Sequence, residues 1–170
     1  LRGKVAVYLI NDPDFSAQPG EAVAGKIGDR RMTYYGRRTY KIEEAARHGA
    51  VAALIVHDTD GAGYGWSTVT APAGGNYALL HADPTEAPPT LQLQGWLEGE
   101  AAAELFRSAG MDLAVLRRQA RRADFQPVPL KDVTFTADVP VKTVKAVSRN
   151  VLAKITGSEH PDETVMIAAH

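Results

Sequence analysis

The amino-acid sequence predicts an α/β fold of mixed α+β type. Three observations carry that reading. Two short β-branched apolar runs, KVAVYLI at residues 4–10 and AVAALIVH at 50–57, have strand length and the unbroken apolarity of strands covered on both faces. Between them Ile42, Ala45, Ala46 and Gly49 fall at i, i+3, i+4 and i+7, one narrow apolar face of a helix. Ala102, Leu105, Phe106 and Ala109 repeat that spacing further on.

The chain has 170 residues, which suits one domain plus an extension better than two full domains. Hydrophobic residues make up 45% and charged residues 23%, so a real core can be buried. With 19 basic and 20 acidic side chains the net charge is -1, which argues against a nucleic-acid or membrane-surface partner held by bulk charge. No apolar run approaches the roughly 20 residues that span a bilayer, and no signal-peptide pattern follows Leu1. The absence of cysteine excludes disulfides, thiol catalysis and Cys-based zinc sites.

In chain order, Asn11, Asp12 and Pro13 end the first strand. Thr39 is placed to cap the following helix, and Gly49 to take the left-handed position that ends it. Strand, helix and strand then make a βαβ unit. Residues 58–89 are rich in Gly and Pro without a sustained period, and a loop of that length in a compact domain is usually functional or mobile. Residues 90–94 predict a short strand. Residues 100–109 predict a helix stopped by Gly110. Asp112 caps another helix to about Arg122, with Arg117, Arg118, Arg121 and Arg122 on its exposed face. After Pro127 and Pro129 the composition changes. Val133, Phe135, Ala137 and Val139 alternate with Thr134, Thr136 and Asp138, the pattern of a half-buried strand. Residues 150–156 and 164–169 predict two more strands, joined through a turn at Pro161-Asp162. One domain is therefore expected over residues 1–130, and a strand extension over 131–170.

Gly61, Gly63 and Gly65 loosely match a nucleotide-binding loop. Such a loop must open a helix, whereas Trp66-Ser67-Thr68-Val69-Thr70 is β-branched and Pro72 follows. Ser67 is not in a G-x-S-x-G elbow. The stretch 30–40 mixes four arginines with three tyrosines and has the makings of a single-strand binding surface. No wider basic face supports that use, and a loop held by Tyr packing and Arg hydrogen bonds is the better reading. His48, His57, His81, His160 and His170 form no H-x-x-x-H spacing. His57-Asp58 has the composition of half a catalytic pair, without an evident nucleophile. His170 ends an apolar strand, where α/β enzymes place ligands and catalytic groups.

These phrases resemble a known family. The order GKVAVYLIND, YKIEEAARHGA, VAALIVHD, PTLQL resembles the protease-associated (PA) domain. In that domain a Gly-Lys-hydrophobic strand leads to a helix ending in A-x-x-G-A and then to a buried strand. Here those are Gly3-Lys4 and Ala46-Arg47-His48-Gly49-Ala50. The longer phrases RMTYYGRRTYKIEEAARHGAVAALIVHDTDGAGYGW and LQGWLEGEAAAELFRSAG are similar to one bacterial subgroup. In it the PA domain is inserted in a zinc aminopeptidase of the glutamate-carboxypeptidase and transferrin-receptor superfamily. The phrase SRNVLAKITGSEHPDETVMIAAH is similar to the start of that family's catalytic domain.

The resemblance implies a PA-like β-sandwich or open barrel flanked by helices, with a C-terminal strand extension. It implies an extracytoplasmic parent, secreted or periplasmic, with a two-metal zinc site. His170 would be its first zinc ligand; the bridging Asp, the Glu base and the other ligands would lie beyond it. One imidazole does not hold a catalytic zinc, which takes about three protein ligands. Residues 1–170 are therefore expected neither to bind zinc stably nor to catalyse. The implied partners are the catalytic domain and the parent's peptide substrate, with no nucleic acid and no membrane span. A freestanding peptide- or protein-binding module of PA type is the alternative. Tyr34, Tyr35, Tyr64 and Trp66 lie in loops flanking the βαβ unit, outside its periodic apolar positions. They are expected to line the approach to the parent's active site, with Arg37 or Arg38 meeting a substrate carboxylate. The competing role for these aromatics is to pin long loops to the core.

Overall fold

The two apolar runs form β1 (Val5–Leu9) and β2 (Ala52–Val56), paired in parallel with Val5 opposite Ala52 and Leu9 opposite Val56. β3 (Leu93–Leu97) pairs in parallel with the other edge of β2, giving a three-stranded open sheet in the order β1-β2-β3. The structure is a computed structural model and describes residues 1–71 and 77–169. The chain divides into two units, Leu1–Phe135 and Thr136–His170.

Strand alternation sends neighbouring side chains to opposite faces of the sheet. On one face Ala6, Ala50 and Ala53 pack with Ala45 and Ile42 of α1 (Arg38–Arg47). On the other, Val56, Val7 and Leu9 pack with Ala102 and Phe106 of α4 (Gly99–Ser108) and Leu113 of α5 (Leu113–Gln119). Helices thus cover both faces. The core lies around β2, every residue of which is buried. In β1 only Ala6 is buried, which corrects the expectation that both runs are fully covered. β1 borders β2 alone, so its outer edge has no neighbour among the described residues.

Both long helices end the same way. Gly49 N–H donates to the Ala46 carbonyl and Ala50 N–H to that of Ala45, with Gly49 at φ +73°. Gly110 and Met111 repeat the pattern on Arg107 and Phe106, with Gly110 at φ +74°. These paired bonds satisfy carbonyls that the helix leaves without partners. Gly49→Val is expected to cost about 1–2 kcal/mol, the left-handed penalty of an L side chain, read as a lowered thermal midpoint. An unchanged melt would contradict it.

Several local expectations are corrected. Thr39 does not cap α1; Arg37 is the N-cap and makes no side-chain cap bond. The Gly36 carbonyl accepts from Asn11 N–H, which fixes the chain just before the helix, and the helix starts two residues earlier than a Thr39 cap would place it. Residues 66–70 are helical as α3 (Trp66–Thr70), after the short α2 (Thr59–Ala62). Extended Gly65 precedes α3, and Thr70 Oγ1 bonds back to the carbonyls of Trp66 and Ser67. Such back-bonding lets a β-branched residue sit in a helical turn. β3 lies three residues later than residues 90–94, because Pro88 and Pro89 offer no N–H whereas Trp96 and Leu97 have apolar faces to cover.

α5 stops at Gln119, capped by Asp112, which accepts from Ala114 and Val115 N–H. The arginines expected on its exposed face, of which Arg121 and Arg122 lie beyond its end, are not uniformly solvated. Arg117 meets Asp58 at 2.9 Å and Arg121 meets Glu21 at 3.0 Å.

In Thr136–His170 none of the described residues is in a strand, nor are Val133 and Phe135. Val151, Ile155 and Ile167 are 96%, 98% and 93% exposed. The turn is present, since Glu163 N–H donates to the His160 carbonyl at 3.1 Å. The expected C-terminal strands are therefore not formed: an isolated pair with no apolar face covered is marginal in water.

Candidate functional site

Loops leaving the C-terminal ends of parallel strands are where α/β sheets place ligands. After β1 the backbone turns at Asn11, at φ +69°, a conformation Asn tolerates. Asn11 Nδ2 donates to the Gly61 carbonyl at 2.8 Å, tying this loop to α2 beyond β2. Asp12 Oδ2 accepts from Thr33 N–H at 2.6 Å and Oδ1 from the Thr33 hydroxyl at 2.8 Å. Gly36 lies against that carboxylate; a Cβ there would sit 2.8 Å from Asp12 Oδ2. Burial lowers the Lys41 ammonium pKa, partly opposed by the nearby Asp12 carboxylate.

Asp14, 2% exposed, collects three backbone donors on Oδ2: Ile27 at 2.8 Å, Gly28 at 3.0 Å and Asp29 at 2.8 Å. Burial pushes its carboxyl up, but the N–H bonds from Asp29, Ile27 and Gly28 prevail and hold it below the usual carboxylate range. Two carboxylates thus shape the loop that delivers Arg37 and Arg38.

The two loops meet in a cleft of about 370 Å³. Arg37, Arg38 and Thr39 of the start of α1 line one side, with Met32 beside them. Tyr64, from the loop after α2, and Trp96, from β3, line the other. The Arg38 guanidinium lies 6.0 Å from the Trp96 ring centroid. The structure thereby brings Arg37, Arg38 and Tyr64 together. Trp66 lines a different cleft of about 440 Å³, with Glu98, Glu100, Ala103 and Arg117. Tyr34 and Tyr35 line neither. They form an edge-to-face group with Tyr40, at centroid distances of 5.4 and 4.9 Å from it, and are 52% and 61% exposed. Tyr34 Oη donates to Glu43 at 3.1 Å; that bond raises the phenol pKa, since losing the proton would face a carboxylate.

Sequence reasoning passed over Trp96 and the surroundings of His57. His57 is 4% exposed, and its Nε2 has no hydrogen-bond partner. Its ring packs against Tyr64, Trp66 and Trp96 at 5.7, 5.4 and 5.5 Å. The signal was the strand phase. His57 follows Ala53 and Ile55 on one side of β2, and Trp96 stands opposite Ile55 in the register. His57 and Asp58 do not work as a pair. Asp58 Oδ1 accepts from Gly61 N–H at 3.0 Å and Oδ2 meets Arg117. Burial raises the Asp58 carboxyl pKa, but Gly61 N–H and Arg117 outweigh it and leave it lowered.

The other histidines are dispersed. His48 Nε2 is 2.8 Å from Glu44 Oε1, and His160 Nδ1 is 3.8 Å from Glu163 Oε1. His170 lies outside the described residues. Among the described residues no three His, Asp or Glu side chains gather as a metal would need. The smaller cleft thus sets two arginines beside an aromatic wall.

No protein-family model, curated protein or solved structure matches the chain. Among the described residues no helix is long and apolar enough to cross a membrane.

Proposed function

We propose that the chain is an accessory, protease-associated domain of a secreted or periplasmic zinc aminopeptidase, and that it governs which peptides reach the catalytic centre. The finer architecture of that family and the role of His170 as a zinc ligand belong to this reading. So does the assignment of residues 131–170 to the start of a catalytic domain. The observation that carries it is the meeting of Arg37, Arg38 and Tyr64 in one cleft at the C-terminal end of the sheet. Two loops separated in sequence by a helix and a strand converge there, and polar-tipped aromatics with guanidinium groups suit peptide recognition. A freestanding peptide-binding module is a second reading, favoured by every residue of that cleft lying within Leu1–Phe135.

The experiment is kinetic and uses the full-length enzyme. Contacts remote from the scissile bond bind ground and transition states alike, so their loss raises KM with kcat little changed. Arg37→Ala is expected to raise KM for peptides of several residues by about 3–10-fold, equivalent to roughly 0.7–1.4 kcal/mol. A minimal aminoacyl anilide should be turned over as before, and the melt of the 170-residue chain should barely move. A variant that lowers the melt and treats both substrates alike would assign its residue to structure and remove it from the access surface.

A further inference from the structure

We propose that the cleft between the first turn of α1 and the Tyr64–Trp96 wall is a carboxylate subsite, taking a carboxylate carried beside an apolar side chain. The assignment takes from the access-domain reading only that the ligand is a peptide.

Charge comes first. Arg37 and Arg38 line the cleft, and among the described residues no acidic side chain does. Among the described residues neither guanidinium has a carboxylate partner, whereas Arg117 and Arg121 each meet one. The first turn of α1 also carries no acidic residue, and its N-cap supplies no side-chain acceptor. Cations at that end of a helix oppose its dipole, where an anion is favoured. A carboxylate in the cleft would answer both features, with a planar guanidinium able to hold it through two hydrogen bonds.

Shape gives the second half of the ligand. Met32, Ile10, Ala62, Tyr64 and Trp96 supply apolar surface around the charged end. The volume of about 370 Å³ falls at the small end of ligand sites, the size of one or two residues. Tyr64 and Trp96 also pack on His57, whose buried Nε2 lacks a partner. His57 itself lines the other cleft, so the Tyr64–Trp96 wall separates the two.

Binding to the 170-residue chain tests this without the catalytic domain. The probes are N-acetyl-Ala-Phe as the free acid, the same peptide as its C-terminal amide, N-acetyl-Asp-Phe-amide, and inorganic phosphate. Trp fluorescence or calorimetry reads them. At least one carboxylate peptide should bind ten-fold or more tightly than N-acetyl-Ala-Phe-amide. Which one does so distinguishes a C-terminal from a side-chain carboxylate. Arg38→Gln, with an unchanged melt, should remove that preference and leave the amide as before. Equal binding of acids and amide overturns the proposal, as does failure of both acids to bind at millimolar concentration. Displacement of the acid by equimolar phosphate, or a folded Arg37→Gln/Arg38→Gln double variant that keeps the preference, overturns it too. Since no step requires turnover, these results stand apart from the kinetic test of the access role.

Discussion

Asp14→Ala is expected to destabilise the chain by about 2–4 kcal/mol and to disorganise the loop that leads to α1. The carboxylate accepts three backbone N–H groups on one oxygen. A hydrogen bond to a charged group contributes about 1.5–3 kcal/mol net, and hydration of these part-buried N–H groups in a relaxed loop brings the sum below the full total. The effect should depend on pH in a definite sense. Because the folded carboxyl is held below its ordinary value, its contribution is present above the unfolded pKa of about 3.9. It is lost as pH falls through the lower, folded value. The gap in melting temperature between wild type and Asp14→Ala should thus be full at pH 6 and shrink below about pH 4. A gap that is absent at pH 6, or that widens in acid, would show that Asp14 does not organise this loop.

Hydrogen exchange should separate the two units by about three orders of magnitude or more. Ile55 is fully buried in the central strand, paired on both sides, and Val7 lies in its neighbour. Opening at Ile55 should approach global unfolding, typically at least 5 kcal/mol, which is more than a thousand-fold in rate. Val151 and Ile167 are exposed and in no strand. Their amides should exchange near the rate of an unstructured peptide. Equal protection of all four in a monomer at low concentration would contradict the division of the chain near Phe135 and the absence of strands beyond it.

What was legible in the sequence was what local spacing controls. The βαβ order, the Ala-rich face of α1, the left-handed Gly49, the stop at Gly110 and the Asp112 cap each depend on residues within a few positions of one another. What was not legible depended on partners distant in sequence. Asp12 read as part of a strand stop, and Asp14 was not singled out. Their work is to accept N–H groups from Thr33 and from residues 27–29, which only the folded loop brings near. β3 took its register from β2, so a local apolar count placed it three residues early. The alternation over 133–139 and the apolar runs after Asn150 have strand composition but no ladder to join among the described residues. Trp66 was grouped with Tyr64 for their nearness in sequence. α3 carries it to the opposite cleft, while Trp96, more than thirty residues away from Tyr64, completes the wall with it.

The central claim is that these residues control access for a zinc aminopeptidase and do not themselves hydrolyse peptides. The most direct measurement is aminopeptidase turnover, with zinc supplied and with chelator, by the 170-residue chain and by its reading frame extended by about 200 residues, one typical domain. The account predicts no turnover by the 170 residues and zinc-dependent, chelator-sensitive turnover by the longer chain. Metal-dependent hydrolysis by the 170 residues alone, or an extended chain that folds and remains inactive with zinc, would contradict it.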